Sequence, residues 1–229
     1  STEIAFTLQH HHTDYLAVAY ADEGVELRKA GIHLPIMVMS PDLISFDAMI
    51  DNQLEPEIYS QRILQAFIQA LDRKNMEYYP VHLKIDTGMH RLGFMEDEVD
   101  KLIIELKKTN TIRVESVFSH LAASEDPAYD DFTQSQIDLF ERLSKKIERE
   151  LGYTLIRHIA NTSGVDRWPA AQFDMVRLGI GLYGINKNYP AGSPLQTVTF
   201  LKTSISQIKH IPAGDTVGYG RQGKMPHGG

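Results

Sequence analysis

Short apolar, β-branched runs alternate with helical patterns almost from end to end of this chain, and that alternation restricts its fold more than any other feature. Residues 15–20, 36–39, 55–59, 79–86, 113–120, 156–160 and 176–183 read as strands. Between them, residues 96–108 bring Val99, Leu102, Ile103 and Leu106 to one helical face. Residues 131–151 do the same with Phe140, Leu143, Ile147 and Leu151, and Gly152 offers a stop. Residues 42–51, after Pro41, and 60–74 fill the remaining gaps with helical sequence. Alternation of this kind specifies a mainly parallel sheet, either doubly wound or closed as a barrel. No GxGxxG follows the first strand, which removes the usual ground for a dinucleotide-binding sheet. The repeat length favours an α/β protein built as a (β/α)8 TIM-type barrel.

Seven strands leave such a barrel one short, with two unpaired edges. The chain opens on Ser1, Thr2 and Glu3 before an amphipathic run, which reads as a helix starting at its cap. The expectation is a barrel over residues 1–190 that lacks its first strand, with that strand upstream. Residues 186–194 read as a loop, and 197–211 as a long β-rich segment with no helix behind it. Residues 195–229 are expected to begin a C-terminal β domain.

Composition narrows the function. The chain has 229 residues, of which 42% are hydrophobic and 23% charged, as in ordinary globular proteins. It contains no cysteine, so disulfides, thiolate zinc sites and cysteine nucleophiles are excluded. A net charge of −7 argues against nucleic acid or an anionic membrane as the main partner. No apolar run approaches the ~20 residues that cross a bilayer. A cytoplasmic protein is expected.

In a parallel barrel, function gathers on the loops after the strands' carboxyl ends. Along residues 82–86 alternation puts His82, Lys84 and Asp86 on one face, either as an interior Lys84–Asp86 pair or as part of a site. Arg91 follows on a loop where a fixed cation meets an anion. The run Asn161-Thr162-Ser163-Gly164 offers hydroxyls and backbone N–H groups suited to phosphate, or merely an Asx or Ser/Thr turn. An inward Arg177 needs partners, and Gly179 and Gly181 permit close approach of a ligand. His120 fits either a core or a site. His10, His11 and His12 read as a solvated helix end, and residues 124–131 as a solvated acidic loop; no metal is expected.

Together KIDTGMHRLGF, FSHLAAS, HIANTSG, VRLGIGLYG and PAGDTVGYGR, in this order, resemble the alanine racemases, pyridoxal 5′-phosphate enzymes built of a barrel and a β domain. The resemblance takes in residues 15–39 and so spans essentially the whole chain. It implies that Asn161, Thr162, Gly179 and Ile180 bind the cofactor around its phosphate, and that Arg177 faces the pyridine nitrogen. It gives Arg91 to the cofactor's phenolic oxygen and the substrate carboxylate. Tyr219 would be the second catalytic base, reaching the pocket of a partner subunit in a homodimer with composite sites. His158 would lie beside Tyr219 and His120 near Arg177, in a hydrogen-bonded relay. Lys84 occupies a position that is carbamylated in many members, and His90 has no implied role.

The family's cofactor-binding lysine lies in a segment resembling VKANAYGHG, and no such segment occurs here. The expectation is therefore an internal piece of an alanine racemase, which interconverts L- and D-alanine for peptidoglycan synthesis, and which is inactive as this chain alone. Two other readings stand beside it. One is a non-catalytic pyridoxal-phosphate barrel, against which the sequence after residue 195 speaks. The other is a racemase or decarboxylase of the same fold acting on another amino acid.

Overall fold

The computed structural model describes residues 2–185, 195–196, 198 and 202–228. These form two compact units, Ser1–Gln196 and Thr197–Gly229.

In the first unit α1 (Thr2–His10) precedes six strands: β1 (Leu16–Val18), β2 (Ile36–Val38), β3 (Glu55–Ile58), β4 (Tyr79–Lys84), β5 (Ile112–Phe118) and β6 (Ile156–His158). All pair in parallel, in the order β1-β2-β3-β4-β5-β6. The helices α2 (Ala21–Lys29), α3 (Phe46–Asp51), α4 (Gln61–Arg73), α5 (Val99–Leu106) and α6 (Asp130–Leu151) connect them. A doubly wound sheet needs a point where strand order reverses; here each strand is added on the same side of the last. With crossovers of one hand, every helix falls on one face and the sheet curls as the arc of a (β/α) barrel.

Local chemistry sets the boundaries. Ser60 accepts from the Ile63 N–H and starts α4, whose buried face is Ile63, Leu64, Phe67, Ala70 and Leu71. Gly152, at φ 80°, ends α6 in the left-handed conformation. The turn before α2 is tied by Glu23, whose carboxylate accepts from the N–H groups of Ala19 and Tyr20. Ser1, read as the cap of α1, lies outside the described residues.

Two strand expectations fail. Residues 176–183 make no strand. Asp174 and Arg177 donate to the Arg157 and Ala160 carbonyls beside β6, and then Ile180–Tyr183 winds into a 3-10 turn ended by Gly184 at φ 76°. Glycines at 179, 181 and 184 release the backbone from extended geometry, and no ladder holds it there. Of residues 197–211, the described ones belong to no helix or strand, and Ile205 and Ile208 are exposed. β-Branched sequence forms a strand only against a partner, and among the described residues of its unit none pairs with it. Positions 186–194, read as a loop, lie outside the described residues. In the second unit Thr216–Val217 (β7) pairs antiparallel with Gly223–Lys224 (β8), across a 3-10 turn at Tyr219–Arg221.

Outside the sheet, Phe67 is fully buried and meets the rings of Phe46 and Tyr79 edge-on. Phe67→Ala should cost ~3–5 kcal/mol by opening a cavity at this junction. Urea denaturation checks it; an unchanged midpoint would mean that the α3–α4 layer is not what holds the sheet.

Candidate functional site

The interior of the arc is polar. Glu57, His82, Lys84, Ser116 and His158 are buried on the inward face, whereas Ile58, Leu83 and Val117 point to the helices. Lys84 does not pair with Asp86. Its ammonium lies 3.6 Å from Glu57 and 4.6 Å from the centre of the Phe118 ring. Neither Glu57 carboxylate oxygen has a hydrogen bond. Burial pushes Glu57 up to about 7, against the pull of Lys84, Arg177 and Arg91. The same burial lowers Lys84, with Glu57 opposing it.

Asp86 organises the loop instead. Its carboxylate accepts from the N–H groups of Gly88 and His90 at 2.9 and 3.1 Å. The chain then returns to the strand, where Asp86 N–H donates to Phe94 and Phe94 N–H to Lys84. Gly93 makes that return possible: it sits at φ 127°, and a Cβ there would lie 2.7 Å from the Asp86 nitrogen. Arg91 is exposed on this loop, beside His90.

Arg177 is the hub of the mouth. Its guanidinium donates to His158 Nδ1 and to the carbonyls of His158, Ser119 and Ile159, and reaches His120 Nδ1 at 3.3 Å. It also lies 5.2 Å from the centre of the Phe118 ring, on which His158 stacks. Burial lowers Arg177 to about 10, with Glu57 opposing, so it remains a cation. Burial first and the Arg177 charge second push His120 down to about 4. His158, fully buried, is held well below the usual imidazole range for the same two reasons.

Next to Arg177, Thr162 opens the short helix α7 (Thr162–Arg167), with Asn161 at its cap. Thr162 Oγ1 accepts from the N–H groups of Gly179 and Gly181 at 3.3 and 3.2 Å. A Cβ on Gly181 would lie 2.7 Å from Thr162 Cγ2, whereas one on Gly179 meets nothing within 4 Å. These residues enclose a cavity of about 580 Å³ lined by His120, Asn161, Thr162, Arg177, Gly179 and Ile180, among others. Every residue expected at the cofactor except Arg91 is thus in one place, beyond the carboxyl ends of β5 and β6.

Two expectations look different in this geometry, those for Asn161 and His158. Asn161 lines the cavity, but its amide is spent internally: it accepts from Gly164 N–H and Ser124 and donates to the Leu121 carbonyl. It fixes the cradle. His158 has both ring nitrogens engaged, by Arg177 and by Ser116. His120, whose Nδ1 accepts from Arg177, carries its proton on Nε2 and lines the cavity. Tyr219 is completely exposed on the second unit's 3-10 turn. Sequence reasoning passed over Glu57, Glu55, Ser116 and Gln136. Gln136, buried on α6, pins the loop after β5 by donating to the His120 carbonyl and accepting from Ala122 N–H.

A curled parallel sheet with Arg177 and the Thr162 turn gathered at its carboxyl-end mouth defines the class of (β/α)-barrel proteins that carry their site there. Within that class the chain belongs to the alanine racemase family: residues 1–187 match the family's N-terminal domain. Alanine racemase from Carboxydothermus hydrogenoformans is 34% identical over 230 residues, 96% of this chain and 60% of that protein. The solved alanine racemase of Clostridium difficile 630 is 32% identical with a TM-score of 0.79, over 99% of this chain and 60% of that one. A more distant neighbour sharing the fold is the alanine racemase of Bartonella henselae, solved with covalently bound pyridoxal phosphate. It is 24% identical with a TM-score of 0.74, over 86% of this chain and 56% of that one. The chain spans about 60% of the length of the relatives it matches.

His120 should titrate by NMR with a midpoint near 4, far below an ordinary imidazole. A positive neighbour penalises the imidazolium, so Arg177→Leu should raise that midpoint while burial keeps it below the ordinary value. A midpoint unmoved by Arg177→Leu would contradict the contact.

Proposed function

We propose that this chain is the cofactor-binding part of a pyridoxal-phosphate-dependent alanine racemase that interconverts L- and D-alanine for peptidoglycan synthesis in the cytoplasm. The observation that carries this reading is the gathering of Thr162, Gly179, Ile180, His120 and Arg177 around one cavity. Bound there, pyridoxal phosphate would supply an electron-withdrawing aromatic aldehyde that acidifies the Cα proton of an amino acid.

The residues present fit that group. The Thr162 hydroxyl and the backbone N–H of Ile180 would hold the phosphate, joined by the Gly179 N–H on exchanging Thr162 Oγ1 for a phosphate oxygen, and the absence of a Cβ at Gly181 keeps Thr162 in position. Arg177 would face the pyridine nitrogen. A guanidinium donates hydrogen bonds and accepts no proton, so Arg177 would leave that nitrogen unprotonated and would favour return of a proton to Cα. Arg91, exposed on its loop, would meet the substrate carboxylate.

Two bases are needed, one for each face of Cα. Tyr219 would serve one, in the site of a partner subunit of a homodimer, with His120 rather than His158 as its neighbour, because His120 has the unengaged ring nitrogen. The other is the family's lysine. The cleft of about 440 Å³ between β1 and residues 175–178, lined by Ala17, Met37 and Arg177, is suited to a further parallel strand that bears it. The ribbon of Thr216–Val217 and Gly223–Lys224 would open the C-terminal β domain.

Lys84, the candidate for carbamylation, is expected to stay an amine here. A carbamate would bring a second anion against Glu57 in a buried space, and Glu57 already supplies the charge that the modification would add. Protein equilibrated with 13C-bicarbonate should give no carbamate signal by NMR, and Glu57→Gln should allow one. A carbamate at Lys84 in the unaltered protein would refute this.

The whole protein with bound pyridoxal phosphate should form D-alanine from L-alanine in deuterated water, with deuterium entering at Cα. Bound cofactor without such exchange would instead support a non-catalytic carrier. Thr162→Val should weaken pyridoxal phosphate binding by about tenfold or more, the loss of one hydrogen bond to a charged group. Unchanged binding would remove Thr162 from the cradle.

A further inference from the structure

A line of hydrogen bonds crosses the barrel interior beneath the cavity. Glu55 Oε2 lies 2.7 Å from His82 Nε2, His82 Nδ1 lies 2.7 Å from Ser116 Oγ, and Ser116 Oγ lies 3.0 Å from His158 Nε2. His158 Nδ1 then meets Arg177. His82, Ser116 and His158 are fully buried, and the Glu55 side chain nearly so. The line depends on a register shift between Val81 and His82. Val81 pairs with Val114, but His82 pairs with Ser116, skipping Glu115. Without that bulge, no hydroxyl would bridge the two imidazoles.

Chemistry gives every link one direction. A guanidinium only donates, so His158 Nδ1 accepts. A neutral imidazole with an accepting Nδ1 carries its proton on Nε2, which donates to Ser116 Oγ. At the other end the Glu55 carboxylate only accepts, so a neutral His82 carries its proton on Nε2 and donates it there. Its bare Nδ1 then takes the Ser116 proton. The Tyr15 ring meets His82 edge-on. The chain runs from a cation at the mouth to an anion at the other end, with no donor facing a donor.

We propose that Glu55, His82 and Ser116 are positioning residues, which lock His158 in its Nε2–H tautomer and thereby hold the Arg177 guanidinium in place. This deepens the cofactor reading and rests on it only where Arg177 is taken to face the cofactor. The tautomers themselves require no ligand. Glu55 and Ser116 touch nothing in the cavity; they act through His82 and His158.

The test is 15N NMR of histidine-labelled protein near neutral pH, with His82 and His158 assigned from His82→Gln and His158→Gln. Both rings should be neutral, with Nε2 protonated and Nδ1 bare. Glu55→Gln keeps an acceptor for His82 and should leave both patterns unchanged. Glu55→Leu removes it and should move the His82 proton to Nδ1. Ser116→Ala should broaden or shift the His158 resonances, and Ser116→Thr, which keeps the hydroxyl, should restore them. Circular dichroism checks that each variant is folded. Pyridoxal phosphate should bind several-fold more weakly to folded Ser116→Ala than to Ser116→Thr.

An Nδ1–H or doubly protonated ring at either position in the unaltered protein would overturn the chain, as would a His82 pattern insensitive to Glu55→Leu. Intact tautomers together with no cofactor binding by the unaltered protein would count against the cofactor reading alone.

Discussion

Arg177 is a cation held entirely by neutral acceptors, and the mouth of the barrel is arranged around it. Among the described residues it forms no salt bridge; its hydrogen bonds go to backbone carbonyls at the ends of β5 and β6 and to two imidazoles. Such an arrangement is costly unless each N–H finds a partner. It leaves the guanidinium's charge uncancelled by direct contact, and that charge reaches His120, His158, Lys84 and Glu57, whose proton affinities all register it. A carboxylate in contact with Arg177 would have erased that field. Glu57 lies farther down the interior, close enough to bias the mouth and paired with Lys84 instead.

Much of the frame was legible in the sequence because it rests on periodicity. Six of the seven strands appear near their expected positions, and Gly152 ends its helix for the reason that its chemistry suggests. The seventh failed because VRLGIGLYG has apolar content but too many glycines to stay extended without a ladder. The short helix α7 was hidden for the opposite reason: six residues are too few for a helical period, and Asn161 fits a turn equally well.

The site was legible where it consists of local motifs and illegible where it consists of contacts across strands. Thr162, Gly179 and Ile180 belong to short runs whose backbone chemistry is recognisable. Lys84 reads as inward, but the partner that the pattern offers, Asp86, lies on its own segment, and the partner it meets does not. Glu57 stands opposite His82 on the neighbouring one. A signal was present: Glu55 and Glu57 alternate within a strand that is otherwise apolar, as His82 and Lys84 do in the next. Two carboxylates and two bases with the same alternation on consecutive parallel strands form a polar interior. Ser116 gave no such signal, because the bulge that brings it opposite His82 is invisible to a pattern of period two.

The central claim is that Arg177 stands against the ring nitrogen of a pyridoxal phosphate held by the Thr162 cradle. The most direct measurement is the 15N chemical shift of ring-labelled pyridoxal phosphate bound to the whole protein. An unprotonated pyridine nitrogen across the neutral pH range, becoming protonated in Arg177→Glu, is the predicted result. A protonated nitrogen in the unaltered protein would contradict the account.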